Sequence, residues 1–158
     1  MIFIGLGSNI GDKAAHIREA LRLLVLHGVV LRRVASLWQT PPWGVTAQDW
    51  FLNTVCEVGY AGEPEALLTC LLDTEREMGR QRVQKWGPRL IDIDLLEFDH
   101  QRRMSNFLTL PHPYYTRREF VLAPLAELAP DYLPTGSSQT VGELLAALPE
   151  HHARVYRP

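Results

Sequence analysis

Strand and helix patterns alternate along this 158-residue chain in the order β-α-β-β-α-β. Apolar residues recur at helical spacing over 13–27 and 63–79, and a glycine marks the end of each segment. Strand patterns cover residues 2–8, 29–39, 51–60 and the stretch 86–98. This order predicts a ferredoxin-like α+β sandwich, with two helices on one face of an antiparallel sheet and the other face left free.

The rest of the chain predicts loops and a C-terminal helical extension. Loops are expected over 40–50, 80–89 and 99–118, a short helix or turn over 118–128, and a final helix over 140–148. No repeat, low-complexity tract or linker interrupts these patterns, so we expect residues 1–158 to form a single domain.

Composition and charge exclude several classes of protein. The net charge of −2 gives no overall field that would favour nucleic acid or a membrane surface. The N-terminus lacks the basic and long apolar regions of a signal peptide, and no apolar run approaches the length of a membrane span. Cys56 and Cys70 have neither disulfide-framework nor metal-ligand spacing. We therefore expect a cytoplasmic protein that binds neither nucleic acid nor a membrane.

Two carboxylates interrupt the apolar strand pattern WGPRLIDIDLLEF of 86–98. Because strand side chains alternate, Asp92 and Asp94 share one face, with Cα atoms about 6.6 Å apart. Like charges this close repel each other and lose hydration when partly buried, and a cation relieves both costs. Two oxygen ligands with room for water and phosphate suit Mg²⁺. The alternative is the solvated face of an antiparallel sheet, and these residues alone do not decide between the two.

A basic segment lies directly before this acidic pair. No acidic residue occurs between Glu77 and Asp92. The cations of the segment are Arg80, Arg82, Lys85 and Arg89. They could bind phosphate oxygens beside a metal held by the aspartates, although a solvated basic loop is the alternative.

Three other segments carry groups that could bind a ligand. GLGSNIGD, 5–12, has neither the GxGxxG nor the GK[ST] spacing of nucleotide loops, and a tight turn into a capped helix explains it. Phe51 and Asn53 share a strand face, where they could stack on and hydrogen-bond to a flat heterocycle. His112, between two prolines, could donate to a phosphate. Loop packing, strand-end bonding and a surface histidine are the alternatives.

Taken together, these segments resemble the 6-hydroxymethyl-7,8-dihydropterin pyrophosphokinase family. The matching motifs are GLGSNIGD, TPPWG with FLN, ExxxGRxR, WGPRLIDIDLL, LPHP and RxFVLAPLAELAP, in the family's order over residues 2 to about 134. The resemblance implies a ferredoxin-like fold and transfer of pyrophosphate from ATP to the pterin hydroxymethyl group, giving AMP, in folate biosynthesis. It also implies two Mg²⁺ ions bound by Asp92 and Asp94.

The resemblance also implies roles for individual residues. Arg80 and Arg89 match catalytic arginines, and Asp92 and Asp94 match catalytic metal ligands. The implied pterin pocket consists of Thr40, Pro41, Pro42, Trp43, Phe51, Asn53 and Phe120, with the pterin ring between the two phenylalanines. The implied nucleotide contacts are Glu75, Arg82, Lys85, Trp86, Ile93, His112, Tyr114 and Arg118.

This chain departs from the family pattern at three points. The loop between Gly79 and Trp86 is one residue shorter than in the form used for comparison, and Phe51 replaces a common tyrosine. Pro113 follows His112 where that form has an aromatic residue, which leaves Tyr114 and Tyr115 as candidate substitutes.

Three other functions are compatible with parts of the pattern. A ferredoxin-like fold can bind RNA, but the chain has no RNP1-like run and its net charge is −2. A metal-dependent phosphohydrolase could use the same aspartates, and an inactive relative could retain binding alone. Retention of the two arginines and two aspartates of the catalytic set favours the transferase. We expect a monofunctional monomer.

Overall fold

The computed structural model describes residues 1–42, 49–79 and 90–158. Six residues predicted above as part of the site lie outside these ranges: Trp43, Arg80, Arg82, Lys85, Trp86 and Arg89.

An antiparallel sheet forms the centre of the described fold. Its strands are β1 (Ile2–Ser8), β2 (Val30–Val34), β3 (Trp38–Thr40), β4 (Phe51–Gly59), β5 (Asp92–Phe98) and β8 (Arg154–Val155). The strand order is β5-β1-β4-β3-β8, and β2 pairs with β4. A separate hairpin consists of β6 (Arg103–Met104) and β7 (Thr109–Leu110). This arrangement confirms the predicted ferredoxin-like fold, although 99–118 contains a hairpin where only a loop was expected.

The prediction of a single strand over 29–39 is wrong, because the chain forms two strands there, β2 and β3, along the same edge of β4. Between them the Ala35 N–H still donates to the Val55 carbonyl at 3.0 Å. The next N–H, of Ser36, donates instead to the Glu127 carboxylate at 2.9 Å. A side chain distant in sequence therefore replaces the strand partner at this point.

The described part of the chain has four α-helices packed on the sheet: α1 (Lys13–Leu26), α2 (Pro64–Glu77), α3 (Glu119–Leu128) and α4 (Val141–Ala146). The Asp12 side chain caps α1 by accepting from the Ala15 N–H at 3.1 Å, and Pro64 occupies the first turn of α2. A 3-10 turn, Tyr115–Arg117, precedes α3. In the described ranges, no helix is long and apolar enough to cross a membrane.

Helices also cover part of the second face of the sheet, so the expectation that this whole face is free is wrong. The part of the face at Gly5 and Gly7 stays open. On the first face, Ile4 and Ile93 pack with Ile17 of α1 and Leu67 of α2 in one apolar core. The second face carries its own core of fully buried side chains: Phe3, Val55, Leu96, Tyr115, Leu122, Leu125 and Val141. Burying one such aliphatic or aromatic side chain contributes about 1.5–3 kcal/mol, which favours covering this face with α3 and α4.

Glu97, which lies next to a β-bulge in β5, bonds the C-terminal extension to the sheet. Phe3 pairs with Glu97 and Ile4 with Leu95, so Leu96 is the additional residue. The fully buried Glu97 carboxylate accepts from the Tyr115 hydroxyl at 2.6 Å. It also accepts from the Thr135 N–H at 3.0 Å and the Thr135 hydroxyl at 2.6 Å. These donors replace the hydration that the carboxylate loses on burial.

Candidate active site

Asp92 and Asp94 lie at the start of β5, where the residues opposite them on the neighbouring strand are glycines. Asp92 pairs with Gly7 of β1, and Asp94 pairs with Gly5. Because paired residues point to the same side of a sheet, the carboxylates stand beside two glycines, and open space remains above β1. The Asp94 side chain is 33% exposed, so it can reach a ligand from solvent.

The two glycines are site residues that sequence reasoning missed. They lie inside β1, whose bounds confirm the strand predicted over 2–8, although the motif 5–12 was interpreted as a tight turn into a helix. A Cβ atom on Gly7 would come within 2.5 Å of Asn53 Oδ1, so only glycine fits without displacing that amide. The signal was present in the alternation of Phe3, Gly5 and Gly7 along one strand face.

One cavity, the first cavity, opens above these glycines with a volume of about 110 Å³. Five of the predicted pterin residues line it: Thr40, Pro41, Phe51, Asn53 and Phe120. The Asn53 side-chain N–H donates to the Thr40 hydroxyl at 2.6 Å, and both side chains are almost fully buried. The cavity therefore combines aromatic walls with a polar edge.

A second cavity, of about 450 Å³, lies on the other side of the aspartates. Four of the predicted nucleotide residues line it: Glu75, Ile93, His112 and Arg118. Two apolar side chains of α2, Leu68 and Leu72, line this cavity together with the exposed Phe107. It can hold a larger ligand with both an apolar and a charged part.

Glu75 supports the strand segment between the two aspartates. Its side chain is 2% exposed, and its carboxylate accepts from the Ile93 N–H at 2.7 Å. Among the strands that the structure describes, β5 lies at one edge of the sheet, so this N–H binds a carboxylate where an inner strand would bind a carbonyl. Glu75 therefore fixes the backbone that carries Asp92 and Asp94.

His112 approaches the same carboxylates from the segment after the cis Leu110–Pro111 peptide bond. The backbone N–H of His112 donates to the Leu96 carbonyl at 2.9 Å. The ring Nδ1 lies 3.0 Å from the Pro113 carbonyl, which can only accept, so Nδ1 carries the proton. Nε2 then faces Asp94 Oδ1 at 3.8 Å. Burial, followed by the nearby Arg118 charge, lowers the pKa of His112 below its ordinary value of 6.5.

Arg118 borders both cavities, and its guanidinium carbon lies 5.7 Å from the centroid of the Phe120 ring. Tyr114 is 63% exposed. Neither Tyr114 nor Pro42 belongs to the lining of the two cavities. Tyr115 is committed to the core by its bond to Glu97. Of the two candidate tyrosines, only Tyr114 is therefore open to solvent.

The donor set of the aspartate pair fits a hard cation that takes its other ligands from elsewhere. Among residues 1–42, 49–79 and 90–158, no group of three or more His, Cys, Asp and Glu side chains could enclose a metal ion. Two carboxylates between open cavities leave coordination positions for water and phosphate, as Mg²⁺ prefers. Asp92 and Asp94 line both cavities, so a cation there would contact ligands on either side.

The model of one protein family, 7,8-dihydro-6-hydroxymethylpterin-pyrophosphokinase (HPPK), matches residues 3–130. The chain belongs to the HPPK family. It is similar to the 2-amino-4-hydroxy-6-hydroxymethyldihydropteridine pyrophosphokinase of Methylorubrum extorquens, 44% identical over 147 residues and covering 92% of each chain. It is also similar to the enzyme of the same name from Bacillus subtilis, 42% identical over 127 residues, covering 80% of this chain and 76% of that one.

Among solved structures, the HPPK fold of this chain resembles the crystal structure of Plasmodium falciparum HPPK-DHPS, with a TM-score of 0.71 and 15% identity. The match covers 92% of this chain and 44% of that longer chain, and it supports the fold alone. Membership of the HPPK family identifies the chain as a pyrophosphokinase of folate biosynthesis with ATP as its co-substrate.

Proposed function

We propose that this HPPK transfers the β,γ-pyrophosphoryl group of ATP to the hydroxymethyl oxygen of 6-hydroxymethyl-7,8-dihydropterin, with Mg²⁺ bound at Asp92 and Asp94. One observation carries this proposal: the same two carboxylates border both cavities. A group transferred between ligands in the two cavities has to pass these side chains. AMP then leaves from the second cavity and the pterin diphosphate from the first.

The first cavity is the proposed pterin site. A pterin is a flat heterocycle whose faces suit Phe51 and Phe120 and whose edge carries hydrogen-bonding groups. Asn53, oriented by its bond to Thr40, can address that edge. The remaining members of the proposed set are Pro41, Pro42 and Trp43.

The second cavity is the proposed ATP site. Its apolar side can cover a purine, while His112 and Arg118 lie toward the aspartates, where the phosphates would be. Glu75 and Ile93 form its wall, and Tyr114 is the exposed aromatic residue nearest in sequence to His112. We further propose that Arg82, Lys85 and Trp86 contact the nucleotide and that Arg80 and Arg89 stabilise the charge of the transferred group.

Charge neutralisation and positioning are the main contributions required of such a site. Two Mg²⁺ ions, when bound by Asp92 and Asp94, would neutralise the phosphates and align the attacking and leaving oxygens. The chain supplies the carboxylates, the Glu75 bond that fixes their backbone, and the apolar walls that exclude water from the transferred group.

A product analysis tests this function. The protein is mixed with ATP, Mg²⁺ and the pterin, each is omitted in turn, and the nucleotides are separated. AMP should form only when all three are present. Breakdown of ATP without pterin would indicate a phosphohydrolase, and salt-dependent RNA binding without Mg²⁺ would indicate a nucleic-acid-binding module. A folded protein that binds Mg·ATP without converting it would be an inactive relative.

Replacing the proposed metal ligand tests the metal assignment. Asp94→Asn should lower Mg²⁺-dependent AMP formation by about 100-fold or more, because several kcal/mol of charge stabilisation depend on the metal. Asp73→Asn is a matched control, since Asp73 is a half-exposed carboxylate that pairs with Arg76 on α2. Equal turnover of the two variants, with both folded, would contradict the assignment.

We also propose that residues 1–158 act as one domain and as a monomer. The two apolar cores share one sheet, which supports a single folding unit. Light scattering of the purified protein at its working concentration measures the oligomeric state, and a mass of about one chain is expected.

A further inference from the structure

The C-terminal segment 151–156, here called the C-terminal strap, lies beside the first cavity. Its strand β8 extends the sheet by pairing with β3, with Val155 opposite Trp38 and Arg154 opposite Gln39. The Tyr156 N–H donates to the Leu37 carbonyl at 2.8 Å. The strap is therefore joined to the strand that ends at Thr40, in the wall of the first cavity.

A side-chain contact joins the strap to Trp50, the residue directly before β4. The Arg154 guanidinium lies 5.2 Å from the centroid of the Trp50 ring, in a cation–π arrangement. Trp50 directly precedes Phe51. The carbonyl of Trp50 also accepts from the Lys13 ammonium at 2.7 Å, so this residue is fixed from two sides. Arg154 of the strap thus supports the segment that carries Phe51 in the lining of the first cavity.

Glu119 joins the other part of the strap to α3. One carboxylate oxygen, Oε1, accepts from the N–H groups of His152 at 2.7 Å and Ala153 at 2.8 Å. The second oxygen lies 3.5 Å from the His151 ring. The Glu119 side chain is only 16% exposed, and Phe120 follows it directly. This contact supports the start of α3, which carries Phe120, the second aromatic residue that lines the first cavity.

We propose that Glu119 is a positioning residue for pterin binding: by holding the strap on α3, it sets the separation of Phe51 and Phe120 across the first cavity. The inference rests on the proposed function, because it takes this cavity as the pterin site. The strap is the physical link, since it is bonded to β3 and Trp50 on one side and to Glu119 on the other.

The separation of two aromatic walls matters because dispersion falls steeply with distance. A gap of about 0.5–1 Å beyond contact loses a quarter to a half of the attraction between facing atoms. The start of α3 has no side-chain cap of its own. The bonds from Glu119 to the strap therefore supply a constraint that the helix does not provide locally.

Two substitutions at one position separate hydrogen bonding from charge. Glu119→Ala removes both acceptor oxygens and should raise the KM for pterin about tenfold, equivalent to about 1.4 kcal/mol, with the KM for ATP unchanged. Glu119→Gln keeps the oxygen that accepts both N–H groups and should resemble the parent protein. Glu150→Ala is the matched control, because this exposed carboxylate pairs only with the His152 side chain in the described contacts.

Amide hydrogen exchange of the strap gives a second readout that is independent of catalysis. The amides of His152 and Ala153 should exchange at least several times faster in Glu119→Ala and at the parent rate in Glu119→Gln. Unchanged exchange in Glu119→Ala would refute the anchor itself. Faster exchange with an unchanged pterin KM would refute its role in positioning the walls. Failure of the proposed function is distinct from both, since the parent protein would then form no AMP with pterin.

Discussion

Replacing Gly7 by alanine adds one methyl group at a crowded point of the proposed pterin site. The new Cβ would lie 2.5 Å from Asn53 Oδ1, and real contacts of this kind stay above 3.0 Å. The Asn53 side chain must therefore move by about 0.5 Å or more, which is the difference between these distances. Because Asn53 is 6% exposed and bonded to Thr40 at 2.6 Å, the movement disrupts a buried hydrogen bond.

The expected cost follows from this lost bond. A buried polar group left without its partner costs about 1–3 kcal/mol. If that cost falls on ligand binding, the KM for pterin rises roughly five- to 150-fold, with little change in the KM for ATP. If part of this cost lowers the stability of the ligand-free protein, each kcal/mol lowers the Tm by about 2–4 °C in a chain of this size.

Steady-state kinetics with each substrate varied in turn, together with thermal unfolding, measure these effects. Gly5→Ala is the matched control on the same strand, because its Cβ would meet only Leu96 side-chain atoms at 3.6 Å or more, an ordinary contact. Its pterin KM should change far less. A pterin KM for Gly7→Ala within twofold of the parent, with an unchanged Tm, would refute the steric argument.

Two further predictions concern buried groups away from the cavities. Burial, and next the hydrogen bond to Glu97, raises the pKa of Tyr115 above its ordinary value of 10.0. The free energy of unfolding should therefore fall as pH rises above about 10, because only the unfolded chain loses this proton there. The variant Tyr115→Phe should lower the free energy of unfolding by about 1–3 kcal/mol at neutral pH and should weaken this pH dependence. Denaturant titrations at several pH values measure both effects. Burial raises the pKa of Cys56 to about 12 and also raises that of Cys70. At pH 8 an aromatic disulfide reagent should titrate at most one thiol in the native protein and two after unfolding; rapid reaction of both in the native protein would contradict the burial of Cys56.

The order of elements could be predicted because it depends on local patterns. Helical periodicity and the residues at the helix ends, Asp12 and Gly79 among them, lie within the segments they define. The shared face of Asp92 and Asp94 follows from strand alternation alone, and both do line the same cavities. Their metal-binding role remains a prediction.

The features that sequence reasoning missed depend on contacts between distant segments. The break between β2 and β3 requires Glu127, more than 90 residues away from Ser36. The covered second face requires α3 to return over Phe3, which no local pattern reveals. The need for glycine at position 7 depends on where Asn53 points from the adjacent strand. Each of these depends on packing geometry that becomes visible only in three dimensions.

Transfer of the pyrophosphoryl group from ATP to the pterin is the central claim, and isotopic labelling measures it directly. ATP labelled with ³²P at either the α or the γ phosphate is incubated with the protein, Mg²⁺ and 6-hydroxymethyl-7,8-dihydropterin. We expect the γ label on the pterin product and the α label in AMP, both only when all three components are present. A γ label recovered as inorganic phosphate or pyrophosphate without pterin, or an α label recovered in ADP, would contradict the account.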